Sequence, residues 1–371
     1  MSTEMEAADV PPGKPEPQER PEPTARPSAE PESEPESEAT PEAGPGPTPK
    51  TNPEAEPKAD ARPGLKPGTE PEAEVVVEAG REMVPVVVVL ALAVGAIGLV
   101  AGAVLVVASL AGWSFGAWDS ATTVTPGVVG AAMVRVAPGL FAVGAGAGTW
   151  EEARALVWPL VVVVGGQAAV NVVEWRSLVV VEGGPVLAFF FSLGWFAVFA
   201  VLAIVAVAAV IGQYAEPTGP DLERRAPLPA WSKPPIAVLG SAWFGIGSGL
   251  LVLPGYWSAF VPWTVNRMDA RSLGLWAVAL GVALLGALAE DDLHRIRPAL
   301  TVAVALPVAL AVVLAAHADE VRWGTGPALA LVAMTVGLLL SGTIGRLLAR
   351  RSDRRDRGSS RVLSPPATIY G

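Results

Sequence analysis

The sequence predicts an all-α polytopic membrane protein. About eight transmembrane helices, forming two parallel four-helix repeats, follow a disordered tail. Three observations carry that expectation. The chain of 371 residues is 51% hydrophobic and 17% charged, with a mean hydropathy of +0.44, whereas a soluble domain carries about 25% charge. The charge is segregated: residues 1–80 hold 19 acidic against 7 basic side chains, while the whole chain is only −10. From Val84 onward, uncharged apolar runs of bilayer length recur, and a hydrocarbon core needs about 20 such residues in a helix.

The tail comes first. Residues 1–74 contain 18 of the 36 prolines and almost no large apolar residue. Such a segment cannot bury enough apolar surface to offset its chain entropy, so residues 1–80 are expected to be disordered, with polyproline-like stretches. The opening MSTEMEAADVPP lacks the apolar core of a signal peptide. A solvated brush is the plain reading. A protein partner for the acidic tail, or phosphorylation at Ser33, Ser37 or Thr40, is the functional one.

The spans follow in order. Residues 84–112 run 29 residues without a charge. Val186–Ile211, Ile236–Tyr256, Leu273–Ala289, Ala299–Ala316 and Pro327–Leu348 are similar. Two further stretches complete the eight: the short, glycine-rich 136–150, and 156–173, which carries Gln167 and Asn171. In lipid the backbone must pair internally, so an isolated Val-rich run is helical despite valine's poor helix propensity in water. The boundaries are 84–212 for the first unit, a Pro-rich linker at 213–235, 236–348 for the second unit and a basic tail at 349–371.

Arginine placement orients the chain. Arg346, Arg350, Arg351, Arg354, Arg355, Arg357 and Arg361 put the C-terminal tail in the cytoplasm by the positive-inside rule. Alternating back through eight spans gives 13 basic residues on that side and 4 on the other, with both termini inside a cell (plasma) membrane. The turn AEDDLHRIRP at 289–298 is then a cytoplasmic connection whose charges are expected to be solvated and mutually compensating. Paired catalytic carboxylates would need burial and split pKa values.

An internal repeat is legible. Gly139-Leu-Phe-Ala-Val resembles Gly274-Leu-Trp-Ala-Val at an offset of 135, and Glu174-Trp175 with Gly184-Pro185 echoes Arg322-Trp323 with Gly326-Pro327. Four spans per unit give the halves the same orientation. The repeat pairs Arg135 with Arg271. Arg271 precedes its span, so Arg135 is expected at the membrane rim, snorkelling to the interface.

Several chemistries are excluded or disfavoured. The chain has no cysteine and only two histidines, His294 and His317, so thiol nucleophiles, disulfides and Cys or multi-His metal sites are not expected. No cofactor is implied. No basic patch is interleaved with aromatics, which argues against nucleic acid. Gly98 and Gly102 form GxxxG, and Gly245, Gly247 and Gly249 form GxGxG within a span; both read as close helix packing. Trp residues gather at span ends, as an aromatic belt does. Gln167 and Asn171 lie four apart on one helix face. They face either a solute cavity or a neighbouring helix.

Residues 262–300, PWTVNRMDARSLGLWAVALGVALLGALAEDDLHRIRPAL, resemble a pattern in uncharacterised actinobacterial multi-pass integral membrane proteins. The matching residues are Trp263, Arg271, Leu273, Gly274, Trp276, Glu290, Asp291, Asp292, Arg295 and Arg297. The resemblance implies a place in the membrane and no reaction. The expected function is non-enzymatic: an envelope scaffold or accessory subunit in contact with the bilayer. The alternative is a small-molecule or lipid transporter with its site between the repeats, where Gln167, Asn171, Arg135 and Arg271 are the substrate-binding candidates.

Overall fold

A computed structural model describes residues 80–217 and 224–362, with side chains through Arg355. Most of the acidic tail, with Ser33, Ser37 and Thr40, lies outside the described residues, as do 218–223 of the linker and 363–371. Eight long helices follow in order: α1 (Pro85–Leu110), α2 (Val124–Gly146), α3 (Trp150–Val173), α4 (Val186–Ala215), α5 (Lys233–Val252), α6 (Arg267–Glu290), α7 (Arg297–Ala316) and α8 (Gly326–Val362). All eight are long and apolar enough to cross a bilayer. Strand-like pairing among the described residues is confined to two isolated bridges, Glu82 with Thr149 and Trp118 with Leu178. This is the architecture of a multi-pass membrane protein. Eight crossings return the chain to the face it started from. That face, with 80–84, 147–149, 216–217, 224–232 and 291–296, is the terminal face. The loops 111–123, 174–185, 253–266 and 317–325 form the far face.

Local chemistry sets the helix ends. Pro85, Pro234 and Pro298 sit in first turns, where the missing N–H costs nothing. Gly112 (φ +69°) stops α1 and Gly183 (φ +92°) precedes α4, each in a conformation other residues resist. A capping box between Asn266 and Asp269 starts α6. Pro138, Pro159 and Pro307 lie inside helices, tolerated because neighbouring helices hold the local backbone in place.

The second span differs from expectation. It occupies Val124–Gly146 rather than 136–150, and the Gly146–Thr149 stretch is the turn into α3. Thr125, Pro126 and Gly127 look unlike a span opening, yet all three are buried. Packing, rather than hydropathy, makes this segment helical. At the other end of the chain, α8 continues past Leu348 into the basic segment.

A single core cluster draws on all eight helices, including Leu90, Leu140, Leu160, Leu202, Trp243, Leu284, Leu306 and Leu338. Outside it runs a surface of exposed Val, Leu, Ile and Phe, among them Val100, Val107, Ile204, Val238 and Leu329. Apolar area of that extent belongs against lipid. The closest helix pairs are α1 with α2 and α5 with α6; α2 also packs on α7, and α3 on α6. Glycine makes the two closest crossings possible. A Cβ on Gly130 would sit 2.7 Å from the Gly102 carbonyl oxygen, and one on Gly274 would sit 2.7 Å from that of Gly247.

The three glycines of the GxGxG run therefore differ. A Cβ on Gly245 meets nothing within 4 Å, whereas one on Gly247 would meet the Val278 nitrogen at 2.5 Å. Gly245→Ala is expected to be neutral or stabilising by about 0.5 kcal/mol. Gly247→Ala is expected to destabilise by about 1–3 kcal/mol. Thermal unfolding of the two variants in detergent distinguishes them.

Candidate functional site

The four sequence-predicted candidates do not converge. Gln167 and Asn171 lie on α3, each about 1% exposed, and Gln167 Nε2 donates to Asn171 Oδ1 at 3.0 Å. Gly166, beside them, is packed on Leu275 of α6. The pair is thus bonded along α3 itself, while Asn171 Nδ2 keeps no partner. Arg271, in the first turn of α6, forms an ion pair with Glu174 at the end of α3. Its charge is spent on joining two helices.

Arg135 departs most from expectation. It stands eleven residues from either end of α2, so it is at mid-helix and not at the rim. The misplaced second span caused the error. Its side chain is exposed, and no hydrogen bond, ion pair or ring contact engages it among the described residues.

The polar residues that do converge sit at the two faces. On the far face, Asp269 is fully buried and accepts four hydrogen bonds: Trp118 Nε1 (2.8 Å), Ser120 Oγ (2.7 Å), and the Ala121 (3.0 Å) and Asn266 (3.2 Å) amides. The loop after α1 is thereby tied to the start of α6. Nearby, His317 at the end of α7 is buried, with Nδ1 2.9 Å from the Val313 carbonyl and Nε2 3.1 Å from that of Ser109. Trp263 Nε1 donates to Thr125 Oγ1 at 3.0 Å. Sequence reading missed Asp269. The available signal was Asn266-x-x-Asp269 ahead of an apolar run. Trp118 meets Asp269, and Ser109 meets His317, only through the fold.

On the terminal face the turn 289–298 is not solvated as expected. Glu290 and Asp292 are 7% and 1% exposed. Arg154 Nη2 donates to Glu290 at 2.7 Å, and Arg295 lies 3.7 Å from Glu290 and 3.6 Å from Asp292. Asp292 also accepts the Arg225 and His294 amides, at 3.0 and 2.8 Å. Asp291, left-handed at φ +49°, accepts the Leu228 amide at 3.2 Å and Lys233 Nζ at 2.8 Å. These carboxylates fasten the linker, and Ala226 and Leu228 bury against Leu293 and Ile296. The turn organises the terminal face because a buried carboxylate must be paired. Gln213, also fully buried, does the same for the N-terminal segment. It accepts the Val84 amide and donates to the Glu82 carbonyl, both at 3.0 Å.

Apolar cavities lie between the helices among the described residues, two of them sharing a wall. One, of about 150 Å³, is lined by α2, α5, α6, α7 and α8 and the loop before α6, with Trp243, Leu250 and Met334 on its wall. The other, of about 70 Å³, lies among α1, α2, α3, α4, α6 and α7. Trp276, Leu280 and Leu306 border both. The walls are apolar, although Trp243 carries a buried indole N–H without a partner. No group of three His, Asp or Glu side chains able to hold a metal occurs among the described residues.

The Lys233 ammonium, hydrogen-bonded to Asp291, holds its carboxyl below the usual range. A carboxyl pKa lowered on folding contributes stability that is fully present above the unfolded value, about 3.9. That stability is lost as pH falls through the lower folded value. Protection of the Leu228 amide from hydrogen exchange is therefore expected to persist down to about pH 4 and to disappear below it. Lys233→Met should move that loss to higher pH. Comparison with protein families, with curated proteins and with solved structures finds no match.

Proposed function

We propose that this chain is a non-enzymatic scaffold or accessory subunit of a cell membrane, with both ends in the cytoplasm. One observation carries the reading: the buried polar pair of α3 is bonded to itself, and the Arg271 charge is taken up in an ion pair near the helix ends. Gln167 bonds Asn171, and Arg271 pairs with Glu174. The two interior spaces that share a wall are apolar-walled. A site for a polar solute requires convergent, water-accessible polar groups at mid-depth. The arginine-weighted terminal face supports the cytoplasmic assignment. The likeness of 262–300 to actinobacterial multi-pass proteins accords with a place in the envelope.

We also infer that the body is two copies of one four-helix unit. The α1–α2 and α5–α6 crossings support this. Gly102 meets Gly130, and Gly247 meets Gly274, with Leu105 and Leu250 against the second glycine in each case. The packing of α2 on α7 and of α3 on α6 is the exchange expected of two related units. This register pairs Gly130, not Gly139, with Gly274. Ala/Val/Gly-rich helices align at several offsets, and the matching contacts of Gly130 and Gly274 support this one.

The competing reading is a transporter. The two apolar cavities suit an apolar cargo. Single cysteines separate the two readings cleanly, since the chain has none of its own. In proteoliposomes, Gln167→Cys and Asn171→Cys are expected to resist a water-soluble thiol reagent applied from either side. Labelling of either position from one side would replace the scaffold with a gated pathway.

A further inference from the structure

Arg135 is the group the scaffold reading leaves unexplained. Its distance to each end of α2 is about 16 Å at 1.5 Å per residue, while half the hydrocarbon core is about 15 Å. It therefore stands at the midplane. Its neighbours give the same level: Met133, two residues before it, lies against Gly98 at the middle of α1. A charge at this depth is costly and is retained where it has a partner.

The surrounding helices restrict where the guanidinium can go. Helical side chains lean toward the N-terminus, here the far face. In that direction the way narrows, because α1 and α7 close over α2. A Cβ on Gly127 would meet both Ser109 and Val313, and Ala131 is buried with Ala309 and Val313. In the opposite direction α2 stays uncovered. Pro138, Ala142 and Ala145 are exposed on the same face as Arg135. Snorkelling to the terminal interface would run against the lean of the side chain and leave several ångströms of hydrocarbon uncrossed. Lipid headgroups on both sides are out of reach.

We propose that this face of α2 docks a transmembrane helix of a different protein, one bearing an aspartate or glutamate near its midpoint. Charge complementarity selects the partner, and the small residues let a helix approach closely. A second copy of this chain lacks the matching group. In the described spans, Asp269 and Glu290 are at the two ends of α6, Glu151 and Glu152 are in the first turn of α3, and Asp353 is in the extension of α8. The proposal rests on the accessory-subunit reading and supplies the recognition chemistry for it.

The test uses the full chain in nanodiscs, with a fluorophore on Ala142→Cys. The probes are three synthetic Leu/Ala transmembrane peptides carrying a central Asp, Asn or Leu. Energy transfer should report roughly tenfold tighter association of the Asp peptide than of the Leu peptide. Arg135→Leu should abolish that ratio without lowering the melting temperature, and Arg135→Lys should retain most of it. Equal association of all three peptides, or a ratio that survives Arg135→Leu, overturns the proposal. So does displacement of the Asp peptide by anionic lipid, which assigns the guanidinium to headgroups. An Arg135-dependent disulfide joining two copies of the unlabelled Ala142→Cys variant overturns it too, because the face would then meet itself. Failure here with positions 167 and 171 still sealed removes this partner and leaves the scaffold reading standing.

Discussion

Hydrocarbon offers no hydrophobic pressure to push one helix against another, and the whole body is built around that constraint. Lipid is as apolar as the helices, so association depends on close approach and on polar contacts where they can be made. Close approach is concentrated where glycine meets glycine, at Gly102–Gly130 and Gly247–Gly274. A side chain at any of these four positions forces two backbones apart. The large residues of the core, such as Leu90, Leu140 and Leu306, fill space that those crossings have already fixed.

Polar contacts are placed at the two ends of the bundle. Asp269 gathers four donors on the far face, and Glu290, Asp291 and Asp292 gather cations and amides on the terminal face. Between these layers, α3 and α6 are clamped at both ends, by Arg154–Glu290 and Arg271–Glu174. The neighbouring α2–α7 pair has no comparable clamp in the described contacts. At the far face His317 meets the Ser109 carbonyl of α1, Ser109 Oγ donates to the Thr123 carbonyl just before α2, and α2 keeps an uncovered stretch below Arg135. The α3–α6 interface is locked within the chain, while α2 retains a free charge on an exposed face.

The sequence made the all-α, eight-span plan legible because bilayer-length apolar runs are a strong, local signal. Its errors came where structure depends on neighbours. The second helix was displaced because Thr125-Pro126-Gly127 is helical only through burial, and that displacement carried Arg135 from the midplane to the rim. The turn at 289–298 has the composition of a solvated loop. Its carboxylates became buried fasteners because the linker folds back over them, a long-range contact that no local pattern encodes. Gln167 and Asn171 could be assigned to one face by spacing alone. Which neighbour that face meets required the packing of α3 on α6.

The central claim is an eight-fold crossing that leaves both ends of the chain on one side of a bilayer. Labelling of single cysteines by an impermeant maleimide in sealed, uniformly oriented vesicles tests it directly. Ser114, Ala259 and Asp319, replaced one at a time, should react from one side only, and Gly148, Trp231 and Arg351 only from the other. Reaction of any position with the opposite set, or release of the folded chain into buffer free of detergent, would contradict the crossing pattern.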